Sequence, residues 1–386
     1  MTMATPSADA SAILVVNSGS SSLKFALFRL EGSDEAAIAT GAADNVGRAD
    51  GHLRIRDARG KVLAAQDHDM PTQAQALDVL ARTLDQVGLG PPAAVGHRIV
   101  HGGPHLRTHQ ALTPAVLEQL RQAVHFAPLH IPVALELVER ARARWPDARQ
   151  FACIDTAFHQ TMPPVATRLP LPARYAQAGV ARYGFHGLSY ESLVRRLGPD
   201  LPPRAVFAHL GNGASLCAVR DGKSVDTTMG MTPAGGIPMG TRSGDLDPGV
   251  ILYLMRTGNV DADALEALIN RESGLAGMAD GESDMQALLA RCAGGDAHAA
   301  LAVEAFTTAV RKQIGAYAAL MGGIDLLVFT GGIGEHSAEI RRRIVAGLDF
   351  LGLGPAVPGP GVMVVATEEE KQMARHCRAL MRGTPP

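Results

Sequence analysis

The sequence predicts an α/β protein of two domains with a cleft between them, and three observations carry that expectation. The chain has 386 residues, a length that suits two domains. A strand, a Gly/Ser-rich turn and a second strand occur together twice, at 13–28 (ILVVNSGSSSLKFALF) and 204–223 (RAVFAHLGNGASLCAVRDGK). Apolar runs with strand character alternate with segments of helical period, so each half has its own sheet and helices.

The elements follow in order. Ile13 to Val16 is an apolar, β-branched run, and Leu23, Phe25 and Leu27 alternate with Lys24, Ala26 and Phe28. Weaker strands are expected near 36–40, 53–56 and 61–65, then a helix at about 73–87 and a strand in AAVGHRIVHGG. Thr113 caps a helix that opens with Pro114, a favoured first-turn residue. Pro128 and Pro132 break it, and a second helix runs to about Trp145. QFACIDTAF (150–158) reads as a buried strand entering a loop, and the Pro-rich stretch 161–174 as the crossover between domains. Val303, Phe306, Val310, Ile314 and Tyr317 share one helix face. The strand Asp325–Thr330 then ends in Gly331-Gly332-Ile333-Gly334, with a new helix from about Ser337.

Composition excludes several classes. Net charge is 36 − 38 = −2, which gives no electrostatic case for nucleic acid or an anionic membrane. No apolar run approaches bilayer-spanning length, so no membrane-spanning segment is expected. Met1 to Ser11 is small and polar, unlike a secretory signal, and is expected to be disordered. Cys153, Cys217, Cys292 and Cys377 lie far apart, without zinc or dithiol spacing, so a reducing, cytoplasmic location is expected.

A Gly- or Ser-rich turn presents backbone N–H groups with no side chain in the way and can cradle a phosphate. The phosphate loop of nucleotide triphosphatases and the dinucleotide fingerprint both run into a helix. Here the chain continues after Ser22 as a strand, which argues against both and against a dehydrogenase. Arg98 is an arginine within an otherwise apolar strand, Asp155 ends a buried one, and Arg242 lies in a Gly-flanked loop without apolar neighbours.

The segments VVNSGSSSLKF, GHRIVHGG, APLHIP, CIDTAFHQTMP, RYGFHG, HLGNGAS, MGTRSGDLDPG and FTGGIGE, spread over about residues 13–376, carry a resemblance. Together, in this order, they resemble the acetate kinase family, within the superfamily of acetate and sugar kinases, Hsp70 and actin. The resemblance implies two ribonuclease-H-like (actin-like ATPase) domains flanking a nucleotide-binding cleft. Residues 1–155 with about 366–386 would form the N-terminal domain, onto which the final helix (about 369–383) packs, and 156–365 the C-terminal one. It implies transfer of the γ-phosphoryl group of ATP to acetate by in-line displacement, with Mg²⁺ (or Mn²⁺), in a homodimer.

By the same resemblance, Arg98 clamps the substrate carboxylate, while Val100, Leu129, Phe185 and Pro233 line the acyl pocket. Arg242 and His186 act on the transferring phosphoryl group, and Asp155 organises the metal. His209, Leu210, Gly211, Asn212 and Gly213 form one phosphate loop; Asn17, Ser20, Ser22 and Lys24 form the other. Gly331, Gly332, Ile333 and Gly334, with Asp284, Met285 and Gln286 of SDMQAL, correspond to the adenosine site, and His130 to a further active-site histidine. Asn17 also adjoins the metal region. Aligning Thr367 and Ala374 selects Glu369 as the second metal carboxylate, with Glu368 and Glu370 flanking it. The Arg341–Arg343 run reads as an exposed helix face.

The chain departs from the family pattern at Ile131, Leu188, Tyr190, Gln286 and His336 and in TPAGGIPMG. Acyl length and nucleotide preference therefore stay open. Rival readings are a propionate or other short-chain fatty acid kinase and a non-enzymatic ATP-dependent clamp. The clamp has no need of Arg98 or Arg242 and calls for a partner-binding domain for which this chain has no spare segment.

Overall fold

The structure is a computed structural model that describes residues 12–19, 21–31, 34–258, 260–353 and 361–384. The terminal stretch 1–11 and Ser20 of the first loop lie outside the described residues. Two compact units are present, Met1–Ala157 with Glu368–Pro386, and Phe158–Thr367. The chain thus leaves the first unit just after CIDTA, earlier than the Pro-rich 161–174, which belongs to the second unit and holds the short helices Pro164–Thr167 and Ala173–Gln177.

The first unit is built on an eight-stranded sheet. Its strands are β1 (Ala12–Ser18), β2 (Ser22–Glu31), β3 (Asp34–Asp44), β4 (His52–Asp57), β5 (Val62–Asp67), β6 (Ala94–Ile99), β7 (Gln110–Ala111) and β8 (Arg149–Ile154). They lie in the order β5-β4-β3-β2-β1-β6-β8-β7. β1 pairs antiparallel with β2 and parallel with β6, and β6 pairs parallel with β8. A strand with neighbours on both edges and cover on both faces reads as an unbroken apolar run, and Ile13 to Val16 are all buried. The β1–β2 register continues to Ser18 opposite Leu23, so Asn17 and Ser22 are strand residues and the turn is shorter than the serine cluster suggests.

Thr72 caps the helix Gln73–Gln86 by accepting from the Gln75 amide, and Thr113 caps Pro114–Gln122 through Val116. Pro132 lies in the first turn of the next helix, Ile131–Arg144, where it starts the helix rather than breaking it. The final helix, Glu369–Met381, packs on β1, β2, β6 and β8 and buries Met373, Ala374 and Cys377. Gly96 makes room for it, since a Cβ on Gly96 would lie 2.6 Å from Cys377 Sγ.

The second unit has five strands, β9 (Arg204–Leu210), β10 (Ala214–Arg220), β11 (Lys223–Thr227), β12 (Leu326–Thr330) and β13 (Gly361–Val364), in the order β11-β10-β9-β12-β13. β9 is antiparallel to β10 and parallel to β12, and β12 is parallel to β13. The β3-β2-β1-β6-β8 part of the first sheet follows the same rule, three antiparallel strands and then two parallel ones. That shared pattern is the ribonuclease-H-like order the resemblance implies. Asp296 caps the long helix Ala297–Met321, Gly322 ends it at φ 71°, and its Val303, Phe306, Val310, Ile314 and Tyr317 are buried.

Gly96→Ala forces the final helix off β6. It should destabilise the protein by about 1–3 kcal/mol in urea unfolding and speed alkylation of Cys377. Unchanged stability and thiol reactivity would show that the helix does not rest there.

Candidate active site

In open sheets, ligands gather beyond the carboxyl ends of parallel strands. In the first unit that place holds Asn17 at the end of β1, Arg98 near the end of β6 and Asp155 directly after β8. Strand pairing sets Arg98 opposite Cys153 and Ile99 opposite Ile154, which brings the arginine alongside the aspartate. Arg98 Nη2 donates to Asp155 Oδ2 at 2.7 Å, and Nη1 donates to Asn17 Oδ1 at 3.2 Å. Arg98 Nε is buried without a hydrogen-bond partner. The final helix supplies the remaining groups: Asn17 Nδ2 donates to Glu369 Oε2 and Glu370 Oε1, each at 3.1 Å.

Asn17 thus turns its nitrogen to the carboxylates and its oxygen to the arginine. This orientation makes it a bracket between charges, beside the acids expected to adjoin the metal region. Arg98, expected to clamp the substrate carboxylate, is correspondingly held at both terminal nitrogens by groups of the protein. Burial works against its charge, but Asp155, Glu369 and Glu370 outweigh this and raise its pKa. Burial pushes the Glu369 carboxyl upward and the Asp155 charge adds to this, against the pull of Arg98, Lys24 and the Asn17 amide. Asp155, wholly buried, and the half-buried Glu369 and Glu370 are hard oxygen donors gathered around Arg98. Glu368 is the residue before the helix begins.

The first loop is braced at its base. The Gly19 amide donates to Ser22 O at 2.8 Å, and Gln73 Nε2 donates to Gly19 O at 3.1 Å. Lys24, exposed on β2, pairs with Asn17 across the strands. Val100 follows β6, Leu129 is 37% exposed, and His130 is the residue before helix Ile131–Arg144.

The second unit repeats the arrangement with different chemistry. Gly211-Asn212-Gly213 joins β9 to β10, closed by a Gly211 amide donating to Gly213 O. A Cβ on Gly213 would lie 3.3 Å from Arg242 Nη1 and 3.5 Å from His186 Nε2, so both side chains end over this turn. Arg242 Nη1 donates to Pro233 O at 3.2 Å and lies 3.8 Å from Met239 Sδ. Its loop is packed, contrary to the sequence expectation: Ile237 and Met239 are buried, and Gly274 (φ 63°) admits the Met239 and Arg242 carbonyls where a Cβ would stand. His186 adopts a left-handed backbone at φ 58° before the helix Gly187–Leu197. It stacks on His209 with ring centroids 4.2 Å apart. Phe185 is wholly buried, and its carbonyl lies 2.9 Å from Nε2 of His159, a residue sequence reading passed over.

A cavity of about 750 Å³ opens beside this turn. Among the motif residues, Gly211, Asn212, Asp284, Met285, Gln286, Gly332 and Ile333 line it, together with Ser283, Leu289, His336 and Ser337. SDMQAL itself starts a helix, because Asp284 caps Met285–Ala293 through the Ala287 amide. Likewise FTGGIGE is a helical turn, Gly331–His336, rather than an open loop. Three of the predicted residues serve the scaffold. Leu210 is wholly buried strand core, Gly331 gives its amide to Glu335 and fits tightly on Leu210, and Gly334 packs under β9. Arg341 also departs from the expected exposed face, donating to the Gly334 and Glu335 carbonyls.

The model of the acetokinase family matches residues 12–357. An acetate kinase of Methylocella silvestris is 41% identical, over 96% of this chain and 98% of that one. The solved acetate kinase of Porphyromonas gingivalis is similar with a TM-score of 0.83 at 35% identity, over 96% of this chain and all of that one. A solved propionate kinase from Francisella tularensis is similar with a TM-score of 0.87 at 33% identity, over 95% and 98%.

A carboxyl group whose folded pKa is raised keeps a proton the unfolded chain has lost, so stability falls as pH rises through that range. Glu369→Gln keeps an acceptor for Asn17 and removes this loss. In metal-free buffer its melting temperature should match the parent below about pH 4 and exceed it by about 2–4 °C at neutral pH. A lower melting temperature at neutral pH would contradict the assignment.

Proposed function

The chain belongs to the acetokinase family, and we propose that it is an acetate kinase, passing the terminal phosphoryl group of ATP to acetate and back. The observation that carries this reading is the convergence of Arg242 and His186 over Gly213, a cation and an imidazole above a turn whose glycines leave its backbone open there. Both reactants are anions, and two unit charges 4 Å apart repel by about 1 kcal/mol in water and several-fold more in a drier site. Phosphoryl transfer therefore needs placed charge and alignment more than a protein nucleophile.

In this reading Arg242 and the Nε2 of His186 bind the oxygens of the moving phosphoryl group, and the Gly211–Gly213 turn holds its neighbours. The 750 Å³ cavity takes the nucleoside, with Gln286 and His336 on its wall. Arg98, anchored by Asp155 and Asn17, binds the acceptor carboxylate, and Val100, Leu129, Phe185 and Pro233 bound its short apolar tail. Mg²⁺ (or Mn²⁺) fits the donor set Asp155 and Glu369, with Glu370 beside them, and when bound supplies positive charge to the phosphate oxygens. We assign Ser20, Ser22 and Lys24 to the binding of the nucleotide phosphates, and His130 as a further active-site histidine. We place the protein in a reducing cytoplasm on its four free thiols. No helix among the described residues is long and apolar enough to cross a membrane.

A propionate kinase is the second reading, favoured by the likeness to the Francisella tularensis structure. One methylene changes binding by only about 1–3 kcal/mol. Incubation with Mg-ATP and carboxylates of increasing length, with hydroxylamine trapping of acyl phosphate, decides between them; no product with any acid defeats both. Arg242→Ala should lower kcat by about 10²–10³-fold, while Arg98→Ala should also raise KM for the carboxylate.

A homodimer is the partner arrangement we propose, through the helix Pro248–Thr257. None of its residues is buried, and Val250, Leu252, Tyr253 and Met255 are exposed on it. A ten-residue helix is marginal alone in water. With Arg256 as its one charged residue, it is suited to meet its own copy. Tyr253→Glu should halve the mass measured by light scattering; an unchanged mass places the contact elsewhere.

A further inference from the structure

Resting on the reading that the second unit handles the phosphoryl group, we propose that Ser215 and Tyr190 are positioning residues that fix the ring tautomer of His186. His186 stands at the start of helix Gly187–Leu197 in the left-handed region, which a non-glycine residue seldom adopts. It is held there by more than the turn. The preceding Gly184 (φ 77°) lies so close to the His159 ring that a Cβ would fall 2.6 Å from it, and His159 pairs with the Phe185 carbonyl. This strained backbone sends the imidazole onto β10, where Ser215 lies opposite His209 of β9.

Three buried polar groups meet at that point. Ser215 Oγ lies 2.8 Å from His186 Nδ1 and 2.5 Å from the Tyr190 hydroxyl. Ser215 and Tyr190 are wholly buried, and His186 nearly so. Their protons can run in one of two directions. A phenol is a stronger donor and a weaker acceptor than an aliphatic alcohol, with a pKa of about 10. Tyr190 therefore donates to Ser215, and Ser215 donates to Nδ1. The proton of the neutral imidazole then sits on Nε2, the atom that ends over Gly213 beside Arg242. The reverse chain would turn a lone pair toward phosphoryl oxygens and repel them. The same pattern recurs next door, where Ser189 Oγ lies 2.9 Å from Nδ1 of the stacked His209. Two hydroxyls thereby bind the Nδ1 atoms of two stacked rings. No proton is transferred in this role; His186 donates a hydrogen bond, and Tyr190 and Ser215 keep it a donor.

The tautomer can be read without catalysis. In the full chain labelled with ¹⁵N-histidine, long-range ¹H–¹⁵N spectra should show His186 with a protonated Nε2 and an unprotonated Nδ1. Ser215→Ala should give a mixture of tautomers, and Ser215→Thr should restore the single form. Tyr190→Phe, which removes one oxygen and keeps the ring, should also loosen the preference. It should lower kcat about tenfold, the size of effect seen when a partner orienting a working histidine is removed, with KM for both substrates within about twofold. A His186 protonated at Nδ1 in the parent, or a tautomer and kcat unchanged in Tyr190→Phe, would overturn the proposal. A protein with the Nε2–H tautomer but no acyl phosphate product would leave it standing and overturn only the kinase reading.

Discussion

The ion pair between Arg98 and Asp155 is the interaction on which the first unit's site depends. Asp155 is wholly buried, and an isolated carboxylate in such a place would carry a desolvation penalty of several kcal/mol. Arg98 can meet it only because β6 and β8 run parallel in register, so that two residues 57 positions apart leave the sheet side by side. Once that pair exists, Asn17 is set as well, its oxygen turned to the guanidinium and its nitrogen to the final helix. The C-terminal segment then adds two more acids to a pocket with one buried cation. Burial is the main reason Glu369 holds its proton more tightly than usual, the Asp155 charge adding to it, and the gathering of acids is why a divalent cation would suit the place.

The second unit reaches its site by the same strand order without any buried acid at the turn. Its fixed groups are imidazoles and hydroxyls, tied to one another, with Arg242 reaching in from a loop locked by the Gly274 approach. The division of labour follows from charge. In the function proposed above, the first unit gathers a metal and a carboxylate, and so needs acids and a countercharge. A unit that must receive phosphate needs donors, and acids close by would repel the ligand.

Much of this was legible in the sequence because it rests on local rules. Buried parallel strands show as unbroken apolar runs, a helix cap shows as Thr113, and the Gly-rich turns mark the carboxyl ends of β9 and β12. The resemblance supplied roles that no local rule gives, such as the choice of Glu369 as a metal carboxylate in the region that Asn17 adjoins. What stayed hidden depends on three-dimensional packing. Nothing in the spacing tells that Gly331 gives its amide to Glu335, that Met239 packs against Arg242, or that Gly96 exists to admit Cys377. His159 was hidden for the same reason: its partner is a backbone carbonyl 26 residues away.

The left-handed backbone at His186 joins these threads. A non-glycine residue keeps that conformation only where the surroundings over-determine it. Here Gly184 seats the chain against His159, the following helix carries Ser189 and Tyr190 back to the sheet, and Ser215 receives the ring. Each of these contacts is short and directional, and the hydroxyls fix orientation without adding charge to a place proposed to accept anions. A salt bridge could have held the same ring, but a carboxylate on Nδ1 would have favoured the doubly protonated form and set a negative charge against the incoming phosphate. Hydroxyls avoid that conflict, which is the physical reason a serine and a tyrosine, rather than an acid, stand behind this histidine.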